Sequence, residues 1–255
     1  MSQMYSDATI VVTGASAGLG AVFARQMAAR GARQIVLVAR RKDRLEALAG
    51  ELPCEAVVEA LDLTDSDAVD ALIGRHSPDI LVNNAGFGTV GPLLENSALK
   101  LVDLNVRALT QLVEGWLPAM VERGRGGILN IGSTAGMVAT PQMAAYSASK
   151  AYVNLFSDAL RTELKGTGVH CTCLAPGPVA TEFFEVAAPG GAPPDFIMQD
   201  PQVTVKSALN ALERNRAIHI PSVLFWLSMW SRKHSPEWVV RLFMGLYGRT
   251  LVSMT

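Results

Sequence analysis

The 255-residue chain is poor in cysteine (three), in aromatic residues (6%) and in net charge (−1), and each shortage removes a class of function. Cys54, Cys171 and Cys173 cannot build a disulfide framework, and no CxxC pair or Cys/His cluster has the spacing of metal ligands. A reducing, cytoplasmic compartment is the default expectation. The balance of 22 Lys/Arg against 23 Asp/Glu lacks the basic excess of a nucleic-acid-binding protein. No basic segment followed by a long apolar run opens the sequence, so no secretion signal is expected. The longest uninterrupted apolar stretch of the C-terminal tail, 223–227, falls far short of the ~20 residues that cross a bilayer.

What is present is apolar material for one large core: 49% hydrophobic residues and a mean hydropathy of +0.25. Short β-branched runs alternate with longer helical patterns. Strands are expected at 9–13, 34–39, 56–61, 80–83, 127–132, 169–175 and 217–220. Helices are expected at 18–30, 42–51, from a cap at Thr64 to about Arg75, at 99–123 and at 146–165. Repeated strand–helix units with continuously apolar strands predict a single α/β domain, a doubly wound parallel sheet with helices on both faces. The Gly/Pro-rich segment 187–194 reads as a mobile loop inside that domain.

The near-neutral average hides an asymmetry. Residues 201–255 carry seven Lys/Arg against Glu213 and Glu237, a balance of +5, and three of the four tryptophans, Trp226, Trp230 and Trp238. Residues 1–200 balance at −6. The chain is therefore divided into a body, 1–221, and an apolar, basic extension, 222–255.

Thr13-Gly-Ala-Ser-Ala-Gly-Leu-Gly20 joins the first strand to the first helix. Gly14 lets the backbone turn, while Gly18 and Gly20 allow close approach of a pyrophosphate to the helix N-terminus, where free N–H groups and the dipole favour an anion. The plainer reading is a tight turn. A site for NAD would place an acid at the end of the second strand, but Ala39 stands there, followed by Arg40 and Arg41, planar cations suited to a 2′-phosphate. NADP(H) is thus the expected cofactor, with Ser16 adding a hydroxyl; the alternative is two solvated arginines at a helix start.

Tyr146 and Lys150 are four residues apart and share a helical face. An ammonium beside a phenol lowers its pKa from about 10 toward neutrality, fitting the phenol to give a proton to a carbonyl oxygen or take one from an alcohol. Ser133 stands at the end of a strand, where it can hold the substrate oxygen.

With TGASAGLG (13–20), Asp62, NNAG (83–86), Asn105 in LNVRA, Ser133 in IGSTAG, YSASK (146–150) and PGPVAT (176–181), the sequence resembles the short-chain dehydrogenase/reductase family over about residues 8–221. The resemblance implies a Rossmann-type fold with Tyr146 as general acid/base. Lys150 would hold the nicotinamide ribose and lower the Tyr146 pKa, and Ser133 would orient the substrate. Asn105 would fix a water in a proton relay ending at Lys150; the plainer reading is a helix-kink residue. Ala17 and Leu19 would join the glycines at the dinucleotide, Asp62 and Leu63 would contact adenine, and Asn84, Ala85 and Gly86 would line the cofactor. Pro176, Gly177, Val179 and Thr181 would cover the nicotinamide. Asn83 reads as a structural hydrogen-bonder, the buried-strand cysteines as packing, and none of the four histidines as catalytic or metal-binding.

The segment 181–200 closes over the substrate by the same resemblance, and Phe183, Phe184, Phe196, Ile197 and Met198 would line it with apolar surface. A lipophilic ketone or secondary alcohol, 3-oxoacyl or steroid-like, is the expected substrate of an oxidoreductase. The rival reading is a non-catalytic NADP(H)-binding sensor or scaffold. A homodimer or homotetramer is expected. The extension would pack on its own domain or a neighbouring subunit, lie on a membrane surface through its Trp and Lys/Arg residues, or shape the substrate entrance.

Overall fold

The computed structural model describes residues 4–95, 97–187 and 193–253. Its elements in chain order are β1 (Thr9–Thr13), α1 (Gly18–Ala29), β2 (Gln34–Ala39), α2 (Lys42–Glu51), β3 (Glu55–Ala60), α3 (Ser66–Arg75) and β4 (Ile80–Asn83). There follow α4 (Ala98–Val102), a π-helical segment Asp103–Ala108, α5 (Leu109–Glu122), β5 (Gly126–Ile131), α6 (Ala144–Glu163) and β6 (Val169–Leu174). The remainder is α7 (Phe183–Ala187), α8 (Pro201–Glu213), β7 (Ile218–His219), α9 (Val223–His234) and α10 (Glu237–Ser253).

The strands form one parallel sheet in the order β3-β2-β1-β4-β5-β6-β7. The period of two in a strand divides its apolar residues between two cores. Ile10, Val12, Ile35 and Leu37 meet Phe23 and Met27 of α1 and Leu209 of α8 on one face. Val11, Val36, Val38 and Leu81 meet Leu72 of α3, with Leu112 and Trp116 of α5, on the other. Helices on both faces explain why these strands read as unbroken apolar runs. The order reverses between β1 and β4, which opens a crevice at their C-terminal ends, the usual ligand position of such sheets.

Two expectations shift locally. The helix after β3 is capped by Asp65, whose carboxylate accepts from the amides of Asp67 and Ala68, rather than by Thr64. Thr64 instead donates its amide and hydroxyl to Asp62, each at 2.9 Å, so the shorter acid one residue on is left to reach the first turn. The helix expected over 99–123 is broken into α4 and α5 by the π segment, which contains Asn105. Most of the Gly/Pro loop, 188–192, lies outside the described residues.

Candidate active site

Each motif ends a strand or begins the helix after it, so the sheet brings the motifs to one edge. Residues 14–20 follow β1, Arg40 and Arg41 follow β2, and Asp62 and Leu63 follow β3. Asn84–Gly86 follow β4, Ser133 follows β5 and leads through its loop to Tyr146 and Lys150 on α6, and Pro176–Thr181 follow β6.

The β1–α1 turn suits an anion. The φ angle of Gly18 is +53°, and a Cβ added there would stop 3.3 Å from the Thr181 Cβ, so this residue and Thr181 face each other across the crevice. A Cβ on Gly20 would collide with the Gly14 carbonyl at 2.2 Å, so that glycine is demanded by the turn's own packing. Among the described residues no side chain caps α1, whose N-cap is Ala17, and the amides of Gly18, Leu19 and Gly20 begin the helix without a capping acceptor. Asn84 ties the β4 loop to this turn, donating to the carbonyls of Thr13 (2.9 Å) and Gly14 (3.2 Å), and Ala85 donates its amide to the Thr13 hydroxyl. These residues fit a dinucleotide's pyrophosphate.

At the end of β2 the two arginines separate. Arg41 donates from Nε and Nη2 to the Ser16 hydroxyl at 3.2 and 3.1 Å, beside the glycine turn. Arg40 is 78% exposed and sits 3.9 Å from Asp62. Amide donation from Thr64, then its hydroxyl and the nearby Arg40, hold the Asp62 carboxyl below its usual range. Arg44, one helical turn beyond Arg41, reaches the same region and was not anticipated from the sequence; the i, i+3 spacing from Arg41 on α2 is the signal that marks it.

Tyr146, Lys150 and Ser133 are all buried. Burial pushes the Tyr146 phenol up to about 12, and the facing Ser133 hydroxyl partly offsets this. Burial likewise pulls the Lys150 ammonium down to about 8. The expected lowering of the tyrosine by the lysine is therefore corrected for the protein alone: Lys150 Nζ donates to the Ile131 carbonyl at 2.6 Å, 5.9 Å from the Tyr146 ring centroid, and the tyrosine is raised by its burial.

Ser133 is held by its backbone. Asn154 donates to its carbonyl at 3.0 Å and accepts from its amide at 3.4 Å, while the Ser133 hydroxyl accepts from the Ala135 amide at 3.1 Å. Asn154 was not anticipated; it lies four residues beyond Lys150 on the buried side of α6. Asn105 accepts from the Phe87 amide (3.2 Å) and donates to the Phe87 carbonyl (3.0 Å) and the Ser149 hydroxyl (3.1 Å). Its side chain thus pins the loop after β4 to α6 from within the π-helical segment. Asn83 donates to Asn130 at 2.9 Å within the buried sheet, a structural role.

After β6, the Pro176 carbonyl accepts from the amide (3.0 Å) and hydroxyl (3.2 Å) of Thr134, and Val179 bridges to Gln199. The Phe183 ring stands 5.8 Å from the Tyr146 ring, which places it over the start of α6, and 5.4 Å, edge-on, from Phe184. Phe196 does not join them. It is 87% exposed, although the Val179–Gln199 bridge ties the end of this segment to the loop after β6. Beside Tyr146, Thr89, Gly91, Leu93, Gln142 and Met143 line a cavity of about 210 Å³.

Cys171 and Cys173 are fully buried and free, and burial pushes both thiols up to about 12, which keeps them protonated at neutral pH. Among the described residues no group of His, Cys, Asp and Glu could hold a metal ion.

The chain is similar to bovine very-long-chain 3-oxoacyl-CoA reductase, 35% identical over 79% of this chain and 67% of that one. It is 39% identical to sulfoacetaldehyde reductase of Chromohalobacter salexigens, over 71% and 76% of the two chains. A short-chain dehydrogenase from Sphingobium yanoikuyae, solved in complex with NADPH, superposes with a TM-score of 0.79 at 31% identity, covering 89% of this chain and 93% of that one. Residues 8–190 match the family described as short chain dehydrogenase, and with the tyrosine, lysine and serine gathered at the C-terminal end of the sheet, the chain belongs to the short-chain dehydrogenase/reductase family of oxidoreductases.

Proposed function

We propose that the protein is an NADP(H)-dependent oxidoreductase acting between a carbonyl and a secondary alcohol on a lipophilic substrate, 3-oxoacyl or steroid-like. The observation that carries this is the burial of Tyr146, Lys150 and Ser133 together at the end of β5 and the start of α6. A nicotinamide supplies the hydride when bound.

This chain's residues handle the proton and the geometry. Ser133, with its backbone clamped by Asn154, presents a hydroxyl to the substrate oxygen. The Tyr146 phenol, protonated at neutral pH as an ordinary tyrosine is and held more firmly so by burial, gives its proton to that oxygen during reduction. In the oxidative direction the positive charge of oxidised nicotinamide and the Lys150 ammonium favour the phenolate. Gly18–Gly20 amides receive the pyrophosphate, and Arg41 with Ser16 receives the 2′-phosphate. Phe183 and Phe184 exclude water and favour an apolar substrate body. A sensor that only binds NADP(H) has no use for a buried Tyr–Lys–Ser set.

The extension is exposed along Val223, Trp226, Leu227 and Trp230 of α9 and Trp238, Leu242, Phe243 and Leu246 of α10. Among the described residues no helix is long and apolar enough to cross a membrane. A neighbouring subunit or a membrane surface suits the exposed side. On the other side of α9, a Cβ on Gly177 would lie 2.6 Å from the Phe225 ring, so the extension also abuts the segment that would cover the nicotinamide.

The test is NADPH oxidation across long-chain 3-oxoacyl thioesters, steroid ketones, bulky aliphatic ketones and ketose sugars. Turnover of the apolar ketones above the sugars supports the reading. No oxidation with any of them returns the protein to the sensor reading.

A further inference from the structure

The residue between the loop after β6 that ends at Thr181 and the Phe183–Tyr146 ring pair is Glu182, and its carboxylate points back to Arg41 and Arg44. Oε1 and Oε2 accept from Arg44 Nη1 at 2.7 and 2.9 Å, and Oε2 accepts from Arg41 Nη1 at 3.2 Å. Arg41 is the residue that also grips Ser16. Three consecutive residues therefore form a strap across the crevice: Thr181 faces Gly18, Glu182 holds Arg41 and Arg44, and Phe183 lies on Tyr146.

Resting on the NADP(H) reading above, we propose that Glu182 is a specificity-determining residue, an internal anion that occupies the arginine pair until a 2′-phosphate displaces it and loosens the strap. A carboxylate and a phosphate dianion cannot share one guanidinium edge without like-charge repulsion, and the phosphate brings more charge and three acceptor oxygens. The three side chains are 43–44% exposed, so the internal pairs are weak and displaceable. An adenosine whose ribose carries hydroxyls alone has no group to compete and leaves the strap in place. Glu182 thereby lowers affinity for the phosphorylated cofactor and couples its arrival to movement at Phe183.

The test uses the full chain and two probes without a nicotinamide, 2′,5′-ADP and 5′-AMP, titrated calorimetrically into wild type and Glu182→Gln. The expected result is that E182Q tightens 2′,5′-ADP by about three- to tenfold, the fold-change of freeing two exposed ion pairs, with 5′-AMP unchanged. Hydrogen exchange of the Phe183–Ala187 amides should quicken in wild type on adding 2′,5′-ADP but not 5′-AMP, and should start fast in E182Q. Unchanged or weakened 2′,5′-ADP binding in E182Q, or equal tightening of both probes, overturns the role of Glu182. If wild type itself binds 2′,5′-ADP no better than 5′-AMP, the NADP(H) reading fails and this inference with it; a wild-type preference for 2′,5′-ADP with no response in E182Q overturns the inference alone.

Discussion

Lys150 Nζ donates at 2.6 Å to the carbonyl of Ile131, the last residue of β5, and from there it lies 5.9 Å from the centre of the Tyr146 ring. The strand that carries Ser133 thus also anchors the lysine, and the protein by itself leaves the phenol protonated. In a difference titration of wild type against Tyr146→Phe, followed by phenolate absorbance, the Tyr146 step should fall near 12 without cofactor and move lower with NADP⁺. A step near 10 in the free protein would contradict the dominance of burial.

The same burial makes Lys150 a stability cost at neutral pH. Its folded pKa of about 8 lies below the ordinary lysine value of 10.5, so the unfolded chain binds more protons between those values and stability rises with pH through that window. The penalty is complete below about pH 8 and is on the order of 3 kcal/mol. Lys150→Met should therefore be more stable than wild type in urea at pH 7, with the advantage shrinking at pH 10. An advantage that grows with pH would refute this.

For the cofactor, Arg41→Ala should weaken NADPH by about 10- to 100-fold, the range for losing a charge-assisted contact, and change NADH little. Arg40→Ala should do less, because Arg40 is directed to Asp62 and solvent. Equal losses for both cofactors would remove Arg41 from the 2′-phosphate.

Asn154→Ala should lower kcat more than it raises KM, since it loosens the Ser133 backbone without removing the hydroxyl. Leaving both parameters unchanged would show that Ser133 needs no such support.

For the extension, sedimentation of the chain alone reads a subunit interface, and co-sedimentation with anionic vesicles reads a membrane surface. Trp226→Ser with Trp230→Ser should diminish whichever association is present, because both rings are about half exposed on one side of α9. A monomer indifferent to vesicles would contradict both readings.

What could be read from the sequence was local. The seven strands, the glycine turn and the Tyr146–Lys150 face each depend on residues within a few positions of one another, so periodicity and spacing reveal them. What could not be read depends on contacts between distant segments. Arg44 is one of several charges on α2 until Glu182, 138 residues later, is brought to it. Asn154 is an ordinary polar residue of a helix until β5 delivers Ser133 to it. The cap after β3 turned on which of two adjacent residues, Thr64 or Asp65, was already engaged by Asp62. Phe196 is an apolar residue of the segment that the resemblance places over the substrate, yet it is exposed, and no short-range pattern distinguishes it from Phe183.

The central claim is that Tyr146 is the proton donor of an NADP(H)-dependent carbonyl reduction. Its most direct test is turnover by Tyr146→Phe with a ketone accepted by wild type, alongside NADPH binding measured by fluorescence. The account predicts a fall in kcat of about a hundred- to ten-thousand-fold with NADPH affinity retained; turnover at the wild-type rate with NADPH bound would contradict it.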